Sequence, residues 1–306
     1  MIRIGTRGSA LALAQAHEVR ARLIATGAAD EGAIEIVEIK TTGDRITDRP
    51  LSEAGGKGLF TKELEEALFD RRIDFAVHSA KDMPTVLPEG LGIAAFLPRE
   101  DVRDAFICYA HESLAEVPAG AVIGTASLRR QAQLRRQRPD LKVALLRGNV
   151  ITRLEKVKAG EFAGAILATA GLRRLGLEAE IRAMLPVDAF LPAVGQGAIC
   201  IESRLGDTKT EALLASIHDH ETAAALTCER AFLGVLDGSC RTPIAGHAKL
   251  AGDRLRFRGQ VLSPDGTQSF EVEGEGLGDD PGAIGRQAGE KILDEAGAEL
   301  LASLRV

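Results

Sequence analysis

The sequence predicts an α/β fold closed by a small C-terminal α+β domain, and three observations carry that prediction. Short β-branched runs alternate with helical patterns through the first two thirds of the chain, the pattern of layered sheets with helices on their faces. The last third changes character: one helix, three strand-like runs in succession and a closing helix, as an antiparallel sheet covered by helices requires. At 306 residues, 45% hydrophobic and 27% charged, the chain can fill two or three separate cores.

In chain order, "IRIGT" at 2–6 is the first predicted strand. Ser9 then offers an N-cap for a helix whose apolar positions recur at helical spacing to about Thr26, where Gly27 would stop it. "AIEIVEI" at 33–39 is the next strand. The polar run from Thr41 to Lys57 fits a mobile lid. Within it, "AGGKGLF" at 54–60 fails the phosphate-loop pattern, because position 51 is Leu and position 58 is Gly. Further strands are expected at "IDFAVHS" (73–79), "AVIGTAS" (121–127), "KVALLRG" (142–148) and "AGAILATAG" (163–171). "PREDVRD" (98–104) and "FLPAVGQG" (190–197) are polar or Gly/Pro-punctuated connectors that look like two crossings between domains. A helix through about Leu236 follows "HDHET" (218–222). Strand-like runs come next near 243–250, 254–262 and 269–275, and a helix starts near Pro281. The expected division is a first domain over 1–98, completed by 197–217 after the second crossing, a second over 103–191, and a third over 220–306.

Charge narrows the choice of ligand. The net charge of −6 conceals a basic block: residues 121–175 hold twelve Lys and Arg against three Asp and Glu, a net +9, which leaves −15 for the rest. A bounded basic segment in an acidic protein suggests a bounded anionic ligand. Nucleic acid fits less well, since one Tyr and no Trp leave few stacking platforms. The Met-Ile-Arg-Ile start lacks a basic stretch followed by an apolar one, and no run approaches the roughly 18 apolar residues of a membrane span. A cytoplasmic protein without a membrane partner is expected. Cys108, Cys200, Cys228 and Cys240 match neither zinc spacing nor a dense disulfide framework, so free thiols are expected and metal binding is not.

Several strand ends carry candidate chemistry. "FAVHSAKDMPT" breaks from a buried-looking strand into Ser79, Lys81 and Asp82, a good position for a site in an α/β sheet. Spacing alone leaves Asp82 equally a turn or helix cap, and His78 fits a satisfied core group. In "GTASLRRQAQLRR", Thr125 and Ser127 precede Arg129 and Arg130 in a first helical turn. Cations are unfavourable at the positive end of a helix dipole, so their presence calls for an anion. Arg135, Arg136 and Arg138 suit a solvated face. Arg147, Arg153, Arg173 and Arg174 follow further strands, where several guanidinium forks would suit a ligand with several carboxylates. Cys108, Cys200 and Cys228 sit in apolar company and read as packing. Cys240 differs, lying in "GVLDGSCRTPIAG" beside Arg241, a setting for a reactive thiol.

The segments "GTRGSALALAQA", "GGKGLFTKELE", "DFAVHSAKDMP", "REDVRDAF", "GTASLRRQAQL", "LRGNVITRL", "LATAGLRRLGL", "LPAVGQGA" and "DGSCRTPIAG" together resemble, in order and over nearly the whole chain, the porphobilinogen deaminases, also called hydroxymethylbilane synthases. The resemblance implies two lobes like those of periplasmic binding proteins and a third domain. A cysteine of that domain holds a dipyrromethane cofactor through a thioether. The implied activity is the head-to-tail condensation of four porphobilinogens with loss of ammonia, releasing hydroxymethylbilane for porphyrin and haem synthesis. Cys240 would be the attachment point and Asp82 the catalytic carboxylate, stabilising cationic intermediates and assisting proton transfer. Ser79, Lys81, Thr125, Ser127, Arg129, Arg130, Arg147 and Gly171 would bind the cofactor. Arg7, Ser9, Gln15, Lys57, Arg147, Arg153, Arg174 and Gln196 would bind substrate carboxylates, and Arg173 matches less clearly. The implied partner is porphobilinogen alone, and the expected state is a monomer. Two departures stand out: Gly238-Ser239-Cys240 replaces the Gly-Gly-Cys of many members, and Glu53 stands where some have Lys, leaving Lys57 as the better lid contact.

Two other classes compete. A two-lobed binding protein for an anionic solute would use the basic segment without chemistry, but leaves Cys240 unexplained. A Cys-dependent hydrolase would need a His near Cys240, and none is close in sequence.

Overall fold

A computed structural model describes residues 1–45, 58–236 and 242–304. Along the chain these form β1 (Ile2–Thr6), α1 (Ala10–Ala25), β2 (Ile34–Glu38), α2 (Thr42–Arg45), α3 (Lys62–Phe69), β3 (Phe75–Ser79), β4 (Leu91–Phe96), β5 (Asp104–Ile107) and β6 (Val122–Gly124). There follow α4 (Leu128–Gln137), β7 (Lys142–Ala144), α5 (Val150–Lys158), β8 (Gly164–Ala168), α6 (Thr169–Arg174), β9 (Ala183–Met184), β10 (Ile199–Arg204) and α7 (Thr208–Ala215). The last third holds α8 (His220–Val235), β11 (Ile244–Ala251), β12 (Arg254–Leu262), β13 (Ser269–Leu277) and α9 (Pro281–Leu304), the last interrupted by non-helical backbone at Gly297.

The fold is mixed α/β, with two five-stranded sheets and a three-stranded one. The contacts group into two compact units, one of residues 1–100 and 198–223, the other of 101–197 and 224–306.

In the first unit the strand order is β2-β1-β3-β10-β4. β1 pairs in parallel with β2 and β3, whereas β10 runs antiparallel between β3 and β4. The strand that fills the sheet's interior therefore arrives about 100 residues after its neighbours. Its alternation is physical: Ile199 and Ile201 join Ile4, Leu23, Phe75 and Val77 in one core. Leu64, Leu68, Ile73 and Ala76 pack on the opposite face beneath α3. α1 begins where Ser9 accepts a hydrogen bond from the Ala12 N–H and ends before Gly27, whose φ of 71° a side chain would disfavour. The expected lid begins differently from its sequence reading: Thr41 is fully buried and Thr42–Arg45 form a helical turn, while residues 46–57, with Glu53 and Lys57, lie outside the described residues.

The second unit holds two sheets. One has the order β7-β6-β8-β5-β9, with β6, β7 and β8 parallel and β5 antiparallel to β8. The expected strands near 121–127 and 142–148 stop early, at Gly124 and Ala144: after β6 Thr125 and Ser127 turn into the α4 cap, and after β7 residues 145–149 form the loop that leads into the Asn149 cap of α5. The other sheet is the antiparallel meander β11-β12-β13, packed through Phe257, Val261 and Val272 against Phe232 of α8 and Ile284 of α9. The buried Glu229 of α8 accepts hydrogen bonds from the Gly195 and Ala248 N–H groups, at 2.7 and 2.8 Å, and so pins the 190–197 connector to β11.

Candidate active site

In the first unit, candidate residues collect at the carboxyl ends of β1 and β3. Arg7 follows β1 and is half-buried. Its Nε donates to Asp44 at 3.1 Å, and its guanidinium lies 4.0 Å from the centroid of the Phe60 ring. Burial works against the Asp44 charge, but hydrogen bonds from Arg7 and Thr41 outweigh it and hold the carboxyl below its ordinary range. Ser9 is the α1 cap. Gln15, one turn into α1 and buried, places its amide Nε2 2.9 Å and Oε1 3.2 Å from Ser79 Oγ, fixing the end of β3.

From Ser79 the chain makes a single 3-10 turn, Ala80–Asp82, anchored by the Ala80 N–H to the Ala198 carbonyl at 3.0 Å. Met83 closes the turn by burying its side chain. Lys81 is half-buried and Asp82 exposed. The Asp82 carboxylate makes no hydrogen bond or ion pair among the described residues, and no helix starts after it. Capping thus gives no account of Asp82. Before that turn, on β3, His78 is the satisfied core group its sequence suggested, but the partner is one that sequence reasoning missed: its Nε2 lies 3.0 Å from Oε2 of Glu202 on β10, both residues buried. Nearby Glu65 has its carboxyl pushed up by burial, with the Glu202 carboxylate adding to the shift. An acidic residue in the otherwise apolar run "AICIESR" was the available signal.

In the second unit, the carboxyl ends of the parallel strands β6, β7 and β8 hold the others. Buried Thr125 follows β6, and its Oγ1 accepts the Ser127 N–H at 3.2 Å. Ser127 caps α4 by accepting the Arg130 N–H at 3.4 Å. After β7, half-buried Arg147 precedes Gly148, whose φ of 117° only glycine takes readily, and Asn149 caps α5. Arg153 in the first turn of α5 donates through Nε to the Gly148 carbonyl at 2.7 Å. After β8, Gly171 is buried in α6, and Arg174 Nη2 donates to the Gly197 carbonyl at 3.1 Å. Arg173 turns to Glu178 at 2.8 Å and toward Asp101.

Arg129 and Arg130 project from the first turn of α4 into the interior, 3% and 5% exposed. There they share one fully buried carboxylate, Asp104 at the start of β5: Arg129 Nη2 lies 2.8 Å from Oδ2, and Arg130 Nη2 and Nε lie 2.7 and 2.9 Å from Oδ1. Gln196 from the 190–197 connector donates to the same Oδ1 at 3.0 Å and to the Val102 carbonyl at 2.7 Å. An anion for this helix end, as the arginines demanded, is supplied from inside the chain. Asp104 sits in "RDAF", where sequence gave no means of telling a connector carboxylate from a buried one.

Burial by itself would raise the Asp104 carboxyl, but Arg129 and Arg130 outweigh it and hold it below the ordinary Asp value. A depressed folded-state pKa stabilises the fold above about pH 4, and that contribution fades as the pH falls through the folded value. We therefore expect the urea midpoints of wild type and Asp104→Asn to differ most at pH 7 and to converge below pH 4.

The solvated-face reading of α4 needs correction at two positions. Arg135 donates to the Pro264 carbonyl at 2.6 Å, and Arg138 reaches the Ala115 and Val117 carbonyls and Asp140 at 3.2, 2.7 and 2.6 Å. Both stitch the unit together because their long stems cross to neighbouring loops. Arg136 is exposed, without a hydrogen bond or ion pair among the described residues. Cys108, Cys200 and Cys228 are free and buried, as packing requires, while Cys240 and Arg241 lie outside the described residues. Among the described residues no group of three His, Cys, Asp or Glu side chains could hold a metal ion, and no helix is long and apolar enough to cross a membrane.

Comparison with known proteins covers almost the whole chain. Residues 2–212 match the family described as "Porphobilinogen deaminase, dipyromethane cofactor binding domain", and residues 223–294 match its C-terminal domain. A porphobilinogen deaminase of Nitrobacter hamburgensis is 58% identical over 294 residues, covering 96% of this chain and 93% of that protein. One from Nitrobacter winogradskyi is 57% identical with the same coverage. Among solved structures, a periplasmic substrate-binding protein of an ABC transporter from Coxiella burnetii aligns with 73% of this chain and 94% of its own, at 13% identity and a TM-score of 0.44.

Proposed function

The chain belongs to the porphobilinogen deaminase family, and from that premise we propose which of its residues carry the reaction. The activity is that of a transferase of tetrapyrrole biosynthesis: four porphobilinogens are condensed head to tail, ammonia is lost at each addition, and hydroxymethylbilane is released. The dipyrromethane cofactor, when bound, supplies the pyrrole to which the first substrate is joined.

Asp82 is the residue we assign to the chemistry, and its unsatisfied carboxylate on a tethered turn is the observation that supports it. Ammonia departs from porphobilinogen with the C–N electron pair, leaving a methylene-pyrrole cation. Formation of the new C–C bond leaves a second cation, which sheds a proton. A fixed carboxylate stabilises both charges and can accept that proton. The first unit supplies Arg7, Ser9, Gln15, Ser79 and Lys81 beside it, with Lys57 assigned from sequence. The second unit supplies Thr125, Ser127, Arg129, Arg130, Arg147, Arg153, Gly171, Arg174 and Gln196 for the acetate and propionate groups of cofactor and substrate. The fit to a polycarboxylate rests on the part of the +9 block that follows the neighbouring strands β6, β7 and β8, namely Arg129 and Arg130, Arg147 and Arg153, and Arg173 and Arg174. Cys240 is assigned the thioether. We also propose a cytoplasmic monomer that uses neither nucleic acid nor membrane, organised as the three domains expected from sequence.

Purified protein given porphobilinogen should release ammonia and a linear tetrapyrrole. Mere retention of porphobilinogen would instead favour the solute-binding alternative. Arg147→Leu should lower kcat/KM by about tenfold or more, as loss of a charged hydrogen bond does. Arg136→Leu, on the exposed side of α4, should stay within about twofold. Steady-state ammonia release distinguishes the two, and equal losses would implicate general charge rather than position.

A further inference from the structure

Two guanidiniums and one carboxylate are buried together at the N-terminus of α4, and they do not balance. Arg129 and Arg130 contribute two positive charges, Asp104 one negative. The remaining partners are neutral: the carbonyls of Leu191 and Ile166, at 2.8 and 3.1 Å, and the Gln196 amide. Arg129 Nε, also buried, has no hydrogen-bond partner among the described residues. The positive end of the α4 dipole adds to the excess. An uncompensated buried charge is costly, and buried charges are as a rule paired, so an excess cation here calls for a further anion.

We propose that Asp104 is a positioning residue that sets the charge of this node. It cancels one arginine, holds both guanidiniums in a fixed fork, and leaves a single positive charge to be matched by one ligand carboxylate. Asp104 is well placed for this because it also receives Gln196, so the position of the pair is tied to both the 98–104 and the 190–197 connectors. The inference rests on the proposed binding role of Arg129 and Arg130 only for the nature of the ligand; the charge balance stands on the buried geometry.

Four variants test it: Asp104→Asn, Asp104→Glu, Arg129→Gln and the double variant Asp104→Asn/Arg129→Gln. Thermal midpoints and, by intact mass, the fraction of chains carrying a covalent two-pyrrole adduct are measured for each. Asn matches Asp in shape but leaves two positive charges. Glu is too long but keeps the balance. If charge governs the node, Asp104→Glu melts above Asp104→Asn, and adding Arg129→Gln to Asp104→Asn raises its midpoint by several degrees. If packing governs, Asn is the milder change and the double variant is worse than either single one, which overturns the proposal. Should Asp104→Asn yield no folded protein, recovery of folded double variant supports the proposal and failure to recover it counts against it. Positioning is read separately: folded Asp104→Glu should carry about tenfold less adduct, because its arginine fork is displaced, whereas a merely structural carboxylate would leave that fraction unchanged. Wild-type protein without any adduct would refute the binding role of the arginines while leaving the stability comparison decisive for the charge.

Discussion

Asp82→Asn is expected to lower kcat by about 10²–10³, the usual loss when a group aimed at developing charge is removed, with the thermal midpoint and the covalent adduct unchanged. The contrast between the two effects follows from the geometry. The carboxylate is exposed and has no internal partner among the described residues, so removing its charge costs the fold little, within about 0.5 kcal/mol. The turn that carries it is held by the Ala80 N–H bond to Ala198 and by buried Met83, neither of which needs the carboxylate. Ammonia release under saturating porphobilinogen, a melting curve and an intact mass measure the three quantities. Activity within a few-fold of wild type would remove Asp82 from the chemistry, and a large fall in midpoint would show a structural role that the geometry does not provide.

Cys240→Ser is expected to abolish both adduct and turnover, whereas conservative replacement of any other cysteine should spare the adduct. The other three thiols are ill suited to become nucleophiles. Burial, with the Glu229 carboxylate contributing, pushes the Cys228 thiol up to about 12, so its thiolate is scarce at neutral pH. Cys108 donates its S–H to the Ala163 carbonyl at 3.2 Å, and Cys200 lies fully buried in the first sheet. Cys240 has Gly238, Ser239 and Arg241 as sequence neighbours instead. A thioether survives denaturation and thiol reductants, so wild-type protein in denaturant should remain heavier than its sequence by two linked pyrroles. Peptide mapping that locates the mass on another cysteine would overturn the assignment.

The layered fold was legible because its signals are local. Ser9 and Gly27 bracket α1 as caps should, and the apolar runs of β1, β3 and β8 declare themselves within a few residues. The last third was equally plain, since hairpin-linked strands need only neighbouring residues to pair. What escaped was whatever depends on partners distant in sequence. β4, β5 and β9 are short or lie beside connectors, and their strand character comes from pairing across the sheet. The same limit applied to side chains. The arginines of α4 could be singled out by their unfavourable place on the dipole, but the carboxylate that receives them lies 25 and 26 residues earlier in the chain. His78 could be judged a satisfied core group, yet its partner is 124 residues away.

The placement of β10 between β3 and β4 has a consequence for how this protein is made. During synthesis, everything up to Phe96 can leave the ribosome while the first sheet still lacks its fourth strand in spatial order, and β3 and β4, each of which pairs with β10 and not with the other, lack that partner. Until Ile199–Arg204 emerges, two apolar strand edges stand open, the kind of surface that invites pairing with another chain. Closing a loop of more than 100 residues before any of these bonds form is also kinetically slow. Nascent chains should therefore need protection over that interval, and fragments ending before residue 199 should aggregate rather than yield a trimmed first lobe.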